Sequence, residues 1–254
     1  MKSQKFNFFL KIYLFTLFFF AIFFFLQKYN NLVEWTISEW LINYQGGFTR
    51  RGLIGEIVFQ FSTFFSITFR ETILLFQIST YALYFYLVYN FLKNTNKNLI
   101  LVFAIFSPLF LIYPIAEVEV LGRKEIFVFI SFIIIANIFS KNNITIKHYF
   151  YFSLLLSLTC LIWEGVAIYL SYFVFILFLK NNLVLQKRFF FNLILCLLPF
   201  LITFYFVISF RLSGEELKAM CNSIDECYGA MTYLNRDLAS NIGEVKSKFH
   251  LSYL

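Results

Sequence analysis

Three short stretches of this chain hold residue types that could carry chemistry. The first runs Glu34-Trp-Thr-Ile-Ser-Glu39-Trp-Leu-Ile-Asn43-Tyr44-Gln45-Gly46-Gly47-Phe48-Thr49-Arg50-Arg51-Gly52. Glu34 and Glu39 are carboxylates fit to serve as a catalytic general base. Arg50 and Arg51 offer planar, permanently charged forks that match phosphate oxygens. Asn43 and Tyr44 add hydrogen-bonding groups for a substrate, and the glycines permit turns and close approach of the backbone to a ligand. The bland alternative for the arginines is a pair of interfacial anchors on lipid headgroups. The second stretch, Glu117-Val-Glu119-Val-Leu-Gly122-Arg123-Lys124-Glu125, places five charges in nine residues between two apolar spans. Ionisable groups at a membrane edge are costly and mark substrate paths, although a mixed-charge turn also neutralises itself by local pairing. The third is Trp163-Glu164-Gly165, a lone carboxylate that is either a site acid, a partner for Arg50, Arg51 or Arg123, or simply a polar turn residue.

The elements that position these residues are membrane helices. Sixty per cent of the 254 residues are hydrophobic, 39 are Phe and only 14% are charged. So little polar sequence cannot coat so much apolar surface in water. Apolar spans recur near 7–27, 53–69, 71–92, 98–116, 126–140, 149–163, 165–179 and 189–210, which predicts an all-α, polytopic transmembrane bundle. The net charge of +7 sits in short loops and acts as membrane anchoring, so nucleic acid is not an expected partner. Lys2, Lys5 and Lys11 precede the first span with no small-x-small cleavage site after it, so an uncleaved first helix is expected.

Charge sets the topology. If all eight spans cross, three lysine-bearing loops fall on the wrong side. If 53–69 is instead re-entrant or interfacial, about seven helices cross and the loops sort completely. Lys2, Lys5, Lys11, Lys93, Lys97, Lys141, Lys147, Lys180, Lys187 and Arg188 then share the cytoplasmic side with no carboxylate, and all 14 acids lie outside. Segment 53–69 also differs from its neighbours in carrying Glu56, Gln60, Ser62, Thr63, Ser66 and Thr68. The expected organisation is a helical bundle over 1–210 with outer loops 28–70, 117–125 and 164, in a bacterial inner membrane with the N-terminus cytoplasmic. A polar extracytoplasmic tail follows over 211–254, and its end at Phe249–Leu254 reads like the entry to further helices. Glu34–Ile42 reads as a short interfacial helix with Trp35 and Trp40 at headgroup level. Ser213-Gly-Glu-Glu216 fits a capping box. Cys221 and Cys227, in a polar segment on an oxidising side, read as a disulfide, while Cys160 and Cys196 read as packing residues.

This inventory fits an enzyme acting on a polyprenyl-phosphate-linked sugar, which needs cations at the membrane edge and a carboxylate base. A divalent cation bridging Glu and phosphate suits the chemistry, but no ligand spacing argues for one, and no metal ligands are assigned. One helix, an outer loop with early carboxylates and a re-entrant segment, then a bundle with outward polar loops, resembles the GT-C class of membrane glycosyltransferases. That resemblance implies a catalytic role for Glu34 or Glu39, and lipid-phosphate contacts for Arg50, Arg51, Arg123 and Lys124. Glu117, Glu119 and Glu164 would join the substrate-binding set. The expected partners are the bilayer, a lipid-linked sugar, and a glycan or lipid acceptor. The alternatives are a polysaccharide polymerase or ligase of the O-antigen type, a non-enzymatic transporter of lipid-linked sugars, and a structural membrane subunit.

Overall fold

The computed structural model describes residues 3–31, 34–93, 95, 98–107, 111, 115, 120–141 and 144–235. Among them the chain is all-α, with no strand. The long elements are α1 (Ser3–Asn31), α4 (Phe69–Lys93) and α9 (Lys187–Ser209), each long and apolar enough to cross a membrane. Shorter apolar helices are α3 (Gly52–Phe65), α5 (Leu99–Phe106), α6 (Ile126–Phe139), α7 (Ile146–Ile162) and α8 (Leu170–Lys180). Two small polar-flanked helices complete the set, α2 (Glu34–Leu41) and α10 (Gly214–Asn222), with 3-10 turns at Glu164–Tyr169 and Gly229–Tyr233. Large apolar side chains point outward along the long helices, including Phe15, Phe19 and Phe23 on α1 and Ile194, Ile202 and Tyr205 on α9. A water-facing helix would carry charge there, so this outer surface is consistent with a membrane protein.

Ring contacts fix the direction of each helix. Phe25 meets Tyr81 at 5.0 Å and Phe18 meets Phe85 at 6.2 Å, so α1 and α4 are antiparallel neighbours. Both ends of the intervening segment therefore lie at one end of that pair, with α3 folded back beside α4 through the Phe59–Phe69 stack at 5.4 Å. Gln77 binds the Gly122 carbonyl and Tyr84 meets Phe129, so α4 and α6 run parallel. Helix α7 returns antiparallel to α6, with Phe139 against Tyr149 and Ser131 hydrogen-bonded to Thr159 at 2.6 Å. Helix α8 descends again, packing Phe173 on Phe132 and ending where Lys180 Nζ donates to the Lys141 carbonyl. Helix α9 climbs from Asn192, bound to the Tyr149 hydroxyl, to Phe206 and Phe210, which pack on Phe48.

Two glycines let the chain close up where α2, α3 and α10 meet. A Cβ on Gly55 would lie 1.8 Å from the Ile42 carbonyl oxygen, and one on Gly46 would lie 2.0 Å from the Glu216 carbonyl oxygen. Only glycine admits backbones this near each other. The first contact seats α3 against α2, and the second seats α10 on the glycine-rich loop.

The segment after α9 folds rather than trailing. Ser213 and Glu216 form the expected capping box, with Glu216 N–H donating to Ser213 Oγ at 3.2 Å and Ser213 N–H to Glu216 Oε2 at 2.7 Å. Cys221 and Cys227 stand at disulfide distance, with S–S 2.09 Å. Leu212, Met220, Ile224, Met231 and Leu234 pack with Ile37, Trp40, Ile54 and Ile73 into one apolar core, so residues 211–235 cap α2. Residues 236–254 lie outside the described residues. Cys160 and Cys196 are buried free thiols.

A short helix forms where one was expected, over Glu34–Leu41, but its two tryptophans differ. Trp35 is half exposed, as an interfacial side chain should be, but Trp40 is fully buried and donates its indole N–H to the Gly122 carbonyl at 2.7 Å. Trp40 is a core residue because the Gly122 turn supplies the one acceptor that its ring needs inside.

Candidate functional site

A buried ionic cluster forms where the three sequence stretches meet. The Arg51 guanidinium grips Glu164 through three contacts, Nε to both carboxylate oxygens at 2.9 Å and Nη2 to Oε1 at 2.8 Å. Its Nη1 reaches Glu39 Oε1 at 3.5 Å. The fully buried Lys124 donates Nζ to the Arg51 backbone carbonyl at 2.5 Å. Four residues far apart in sequence thus share one site. Arg51 belongs to the start of α3, Glu39 to α2, Lys124 to the turn before α6 and Glu164 to the turn after α7.

Local structure dictates this convergence. Arg51 sits at the N-cap of α3 with φ 65°, a left-handed conformation that non-glycine residues seldom adopt. The Lys124 bond to its carbonyl and the Glu164 clamp on its side chain hold that conformation from both sides. Lys124 is set by the Gly122 turn, where the Gly122 carbonyl accepts from both Trp40 and Gln77 and its N–H donates to the Tyr81 hydroxyl. Nearby, the buried Lys28 donates to Thr36 Oγ1 and to the Leu121 carbonyl, tying the end of α1 to the same turn.

The electrostatics follow from burial and pairing. Burial alone would raise the Glu164 pKa, but the charge and hydrogen bonds of Arg51 hold it below the ordinary carboxylate range. Burial opposes charge on Arg51 as well, and Glu164 outweighs it so that the guanidinium is held more firmly protonated. Glu125 is shifted up, by burial first and by the nearby Glu39 charge. Lys124 falls from 10.5 to about 7, chiefly because its ammonium is cut off from water. Two carboxylate oxygens in this region, Glu39 Oε2 and Glu125 Oε2, are buried with no hydrogen-bond partner among the described residues. A buried acceptor left unmatched costs about 1–3 kcal/mol, so each is a place where a donor from a ligand would be favoured.

The other expected site residues are placed differently. Arg50 donates Nη2 to the Tyr233 carbonyl at 2.9 Å, joining the cap to the loop, while its charge still acts on Glu164 and Arg51 of the cluster. Arg123 pairs loosely with Glu125 at 3.7 Å and is the more open cation of its turn. Asn43 is buried, its Oδ1 accepting from Gln45 N–H and its Nδ2 donating to the Leu41 carbonyl, so both ends of its amide shape the turn. Tyr44 stacks on Phe48 at 5.3 Å, and its phenol is raised to about 12 by burial and by Glu56. Lys124, expected at a phosphate, is instead fully buried with its Nζ on the Arg51 carbonyl. Glu117 and Glu119 lie outside the described residues, as does the side chain of Glu34.

The sequence stretches did not single out Glu125 for its own role, nor Lys28 and Trp40 as struts. The sequence signal for Lys28 is a lysine in the last turn of an apolar helix. Among the described residues no group of three or more His, Cys, Asp or Glu could hold a metal ion. Comparison with family models, curated proteins and solved structures finds no match to this chain.

Proposed function

We propose that the protein is a membrane glycosyltransferase that takes a sugar from a polyprenyl-phosphate donor at the extracytoplasmic face of a bacterial inner membrane. The observation that carries this reading is the buried Arg51–Glu164–Glu39–Lys124 cluster, with its unmatched Glu39 oxygen, at the acidic end of the bundle. In this reading Glu39 is the catalytic base. Its free oxygen takes the proton of the attacking acceptor hydroxyl, and the sugar–phosphate bond breaks as the new glycosidic bond forms. Negative charge grows on the departing polyprenyl phosphate. Arg123 and the open edge of Arg51 meet that charge with fixed donors, which lowers the barrier because no solvent must reorganise. Glu164 holds Arg51 in place and is therefore a positioning residue.

The topology belongs to the same proposal. Seven crossings with α3 re-entrant is supported by the antiparallel pairing of α1 with α4, which requires an even number of crossings between them if both span the bilayer. The parallel α4 and α6, and the alternation of α6, α7, α8 and α9, support the same count. Lysines 93, 141 and 180 then share one end, as the positive-inside rule demands of a cytoplasmic face. Reporter fusions at Lys147 and Asn182 are expected to report cytoplasm, and an extracytoplasmic Lys147 would sink this topology.

The reaction itself is tested with the full chain in vesicles supplied with a radiolabelled polyprenyl-phosphate sugar mixture. The expected result is release of polyprenyl phosphate with label passed to a hydroxyl acceptor. Label that crosses the bilayer still attached to its donor would instead identify a transporter.

A further inference from the structure

Helix α3 carries a second polar array, separate from the Arg51 cluster. Glu56 Oε2 accepts from the Tyr44 N–H at 3.0 Å, and Gln45 Nε2 reaches both Glu56 oxygens at 3.0 and 3.2 Å. Gln60 Nε2, one helical turn on, donates to Glu56 Oε1 at 2.7 Å. Gln45 and Gln60 are exposed, so this carboxylate-centred fan of amides stands at the surface, and the Oε1 and second N–H of each amide are not used in binding Glu56. Beyond it the same face turns apolar, with Ile57, Phe61, Phe64 and Phe65 lining a shallow groove of about 450 Å³ that begins at Glu56 and Gln60. Phe64 is 82% exposed.

A helix lying in a membrane interface needs only an apolar face toward lipid and charge toward water. This one has a planar hydrogen-bonding array abutting an aromatic shelf. Paired amide and carboxylate groups match vicinal hydroxyls, which are both donors and acceptors, while aromatic rings cover the C–H faces of a sugar or the start of a hydrocarbon chain. The Tyr44 ring packs on Gly52 at the start of α3, so the array lies one residue of backbone from Arg51 without sharing its contacts.

We infer that the α3 groove is an acceptor subsite for a hydroxyl-rich headgroup carried on an apolar chain, that is, a glycolipid. The word acceptor rests on the transferase reading; the binding site does not. The headgroup hydroxyls meet Gln45, Gln60 and Glu56, and the chain leaves over Phe61, Phe64 and Phe65 into the bilayer.

The test replaces Phe64 with benzoyl-phenylalanine in the full chain, reconstituted in phosphatidylcholine vesicles containing a minor fraction of a glucosylated diacyl lipid. Illumination is expected to give adducts enriched in the glucosylated lipid by roughly tenfold over its mole fraction, equivalent to 1.4 kcal/mol. The same photoprobe at Phe103, an exposed α5 position, should capture lipids in proportion to their abundance. Gln45→Ala with Gln60→Ala, both at exposed positions, should return the Phe64 adducts to the mole fraction. Enrichment that is absent at Phe64, equal at Phe103, or indifferent to loss of both amides overturns the subsite. Enrichment without sugar transfer overturns the transferase reading alone, and transfer without enrichment overturns the subsite alone.

Discussion

On the proposed transferase reading, replacing Glu164 with Gln is expected to lower the stability of the fold by roughly 3 kcal/mol and to reduce sugar transfer at least about 100-fold. The stability loss arises because Arg51, mostly buried, loses the charge that compensates its own desolvation. Removing one member of a buried pair strands the other, which is why the cost exceeds the net worth of the pair. The value lies at the lower end of the usual range because the Arg51 side chain keeps 28% of its exposure. The loss of transfer follows from position: a guanidinium no longer clamped to Glu164 samples other rotamers and no longer faces the developing phosphate charge. A double-mutant cycle with Arg51→Gln separates the two effects. The Arg51→Gln, Glu164→Gln protein should recover most of the lost stability in thermal unfolding but none of the transfer. Recovery of both would make the pair structural only.

The second large effect is in pH. Lys124 holds its proton to 10.5 when unfolded and only to about 7 when folded. Between those values the unfolded chain binds one more proton than the folded one, so stability rises with pH across that window. Below about 7 both states are charged and the penalty is constant; above 10.5 both are neutral and it is gone. The full swing is at most about 5 kcal/mol. Unfolding of the wild type in detergent should therefore become harder from pH 7 to pH 9.5, and Lys124→Met should flatten that rise. A Lys124→Met protein with the same slope as the wild type would place the titration elsewhere.

Much of this arrangement was legible in sequence, for physical reasons that also mark where legibility stopped. Membrane character could be read because apolar runs recur along the chain, and three of them form helices long and apolar enough to cross a membrane. The peculiarity of residues 53–69 could be read because six polar side chains sit in an otherwise apolar run. Helix α2, the Ser213 capping box and the Cys221–Cys227 pair are local features, decided within a few residues. Pairing was not local. Glu164 had three candidate arginines, and the choice of Arg51 depends on how α3 meets the end of α7 across 113 residues of chain. Lys124 looked like an exposed loop cation, because nothing in Gly122-Arg123-Lys124-Glu125 says which of two adjacent cations turns inward. The Gly122 turn, clamped by Trp40 and Gln77, decides that Lys124 goes in and Arg123 stays out. The fold of 211–235 as a cap was equally hidden, since its polar composition reads as a tail until Met220, Met231 and Leu234 find the α2 core.

In the proposed transferase the Glu39 carboxylate, with one oxygen on Arg51 and the other unmatched, is the base that activates the acceptor. Single-turnover transfer from a polyprenyl-phosphate sugar by purified Glu39→Gln protein tests it most directly. The variant keeps the shape of the side chain but not its charge, so unfolding temperature should fall, by less than in Glu164→Gln because Glu39 meets Arg51 through one 3.5 Å contact, and donor binding should stay near wild type. The rate of transfer should fall by about 10²–10⁴ while KM changes little. A Glu39→Gln protein that transfers sugar at the wild-type rate would contradict the account.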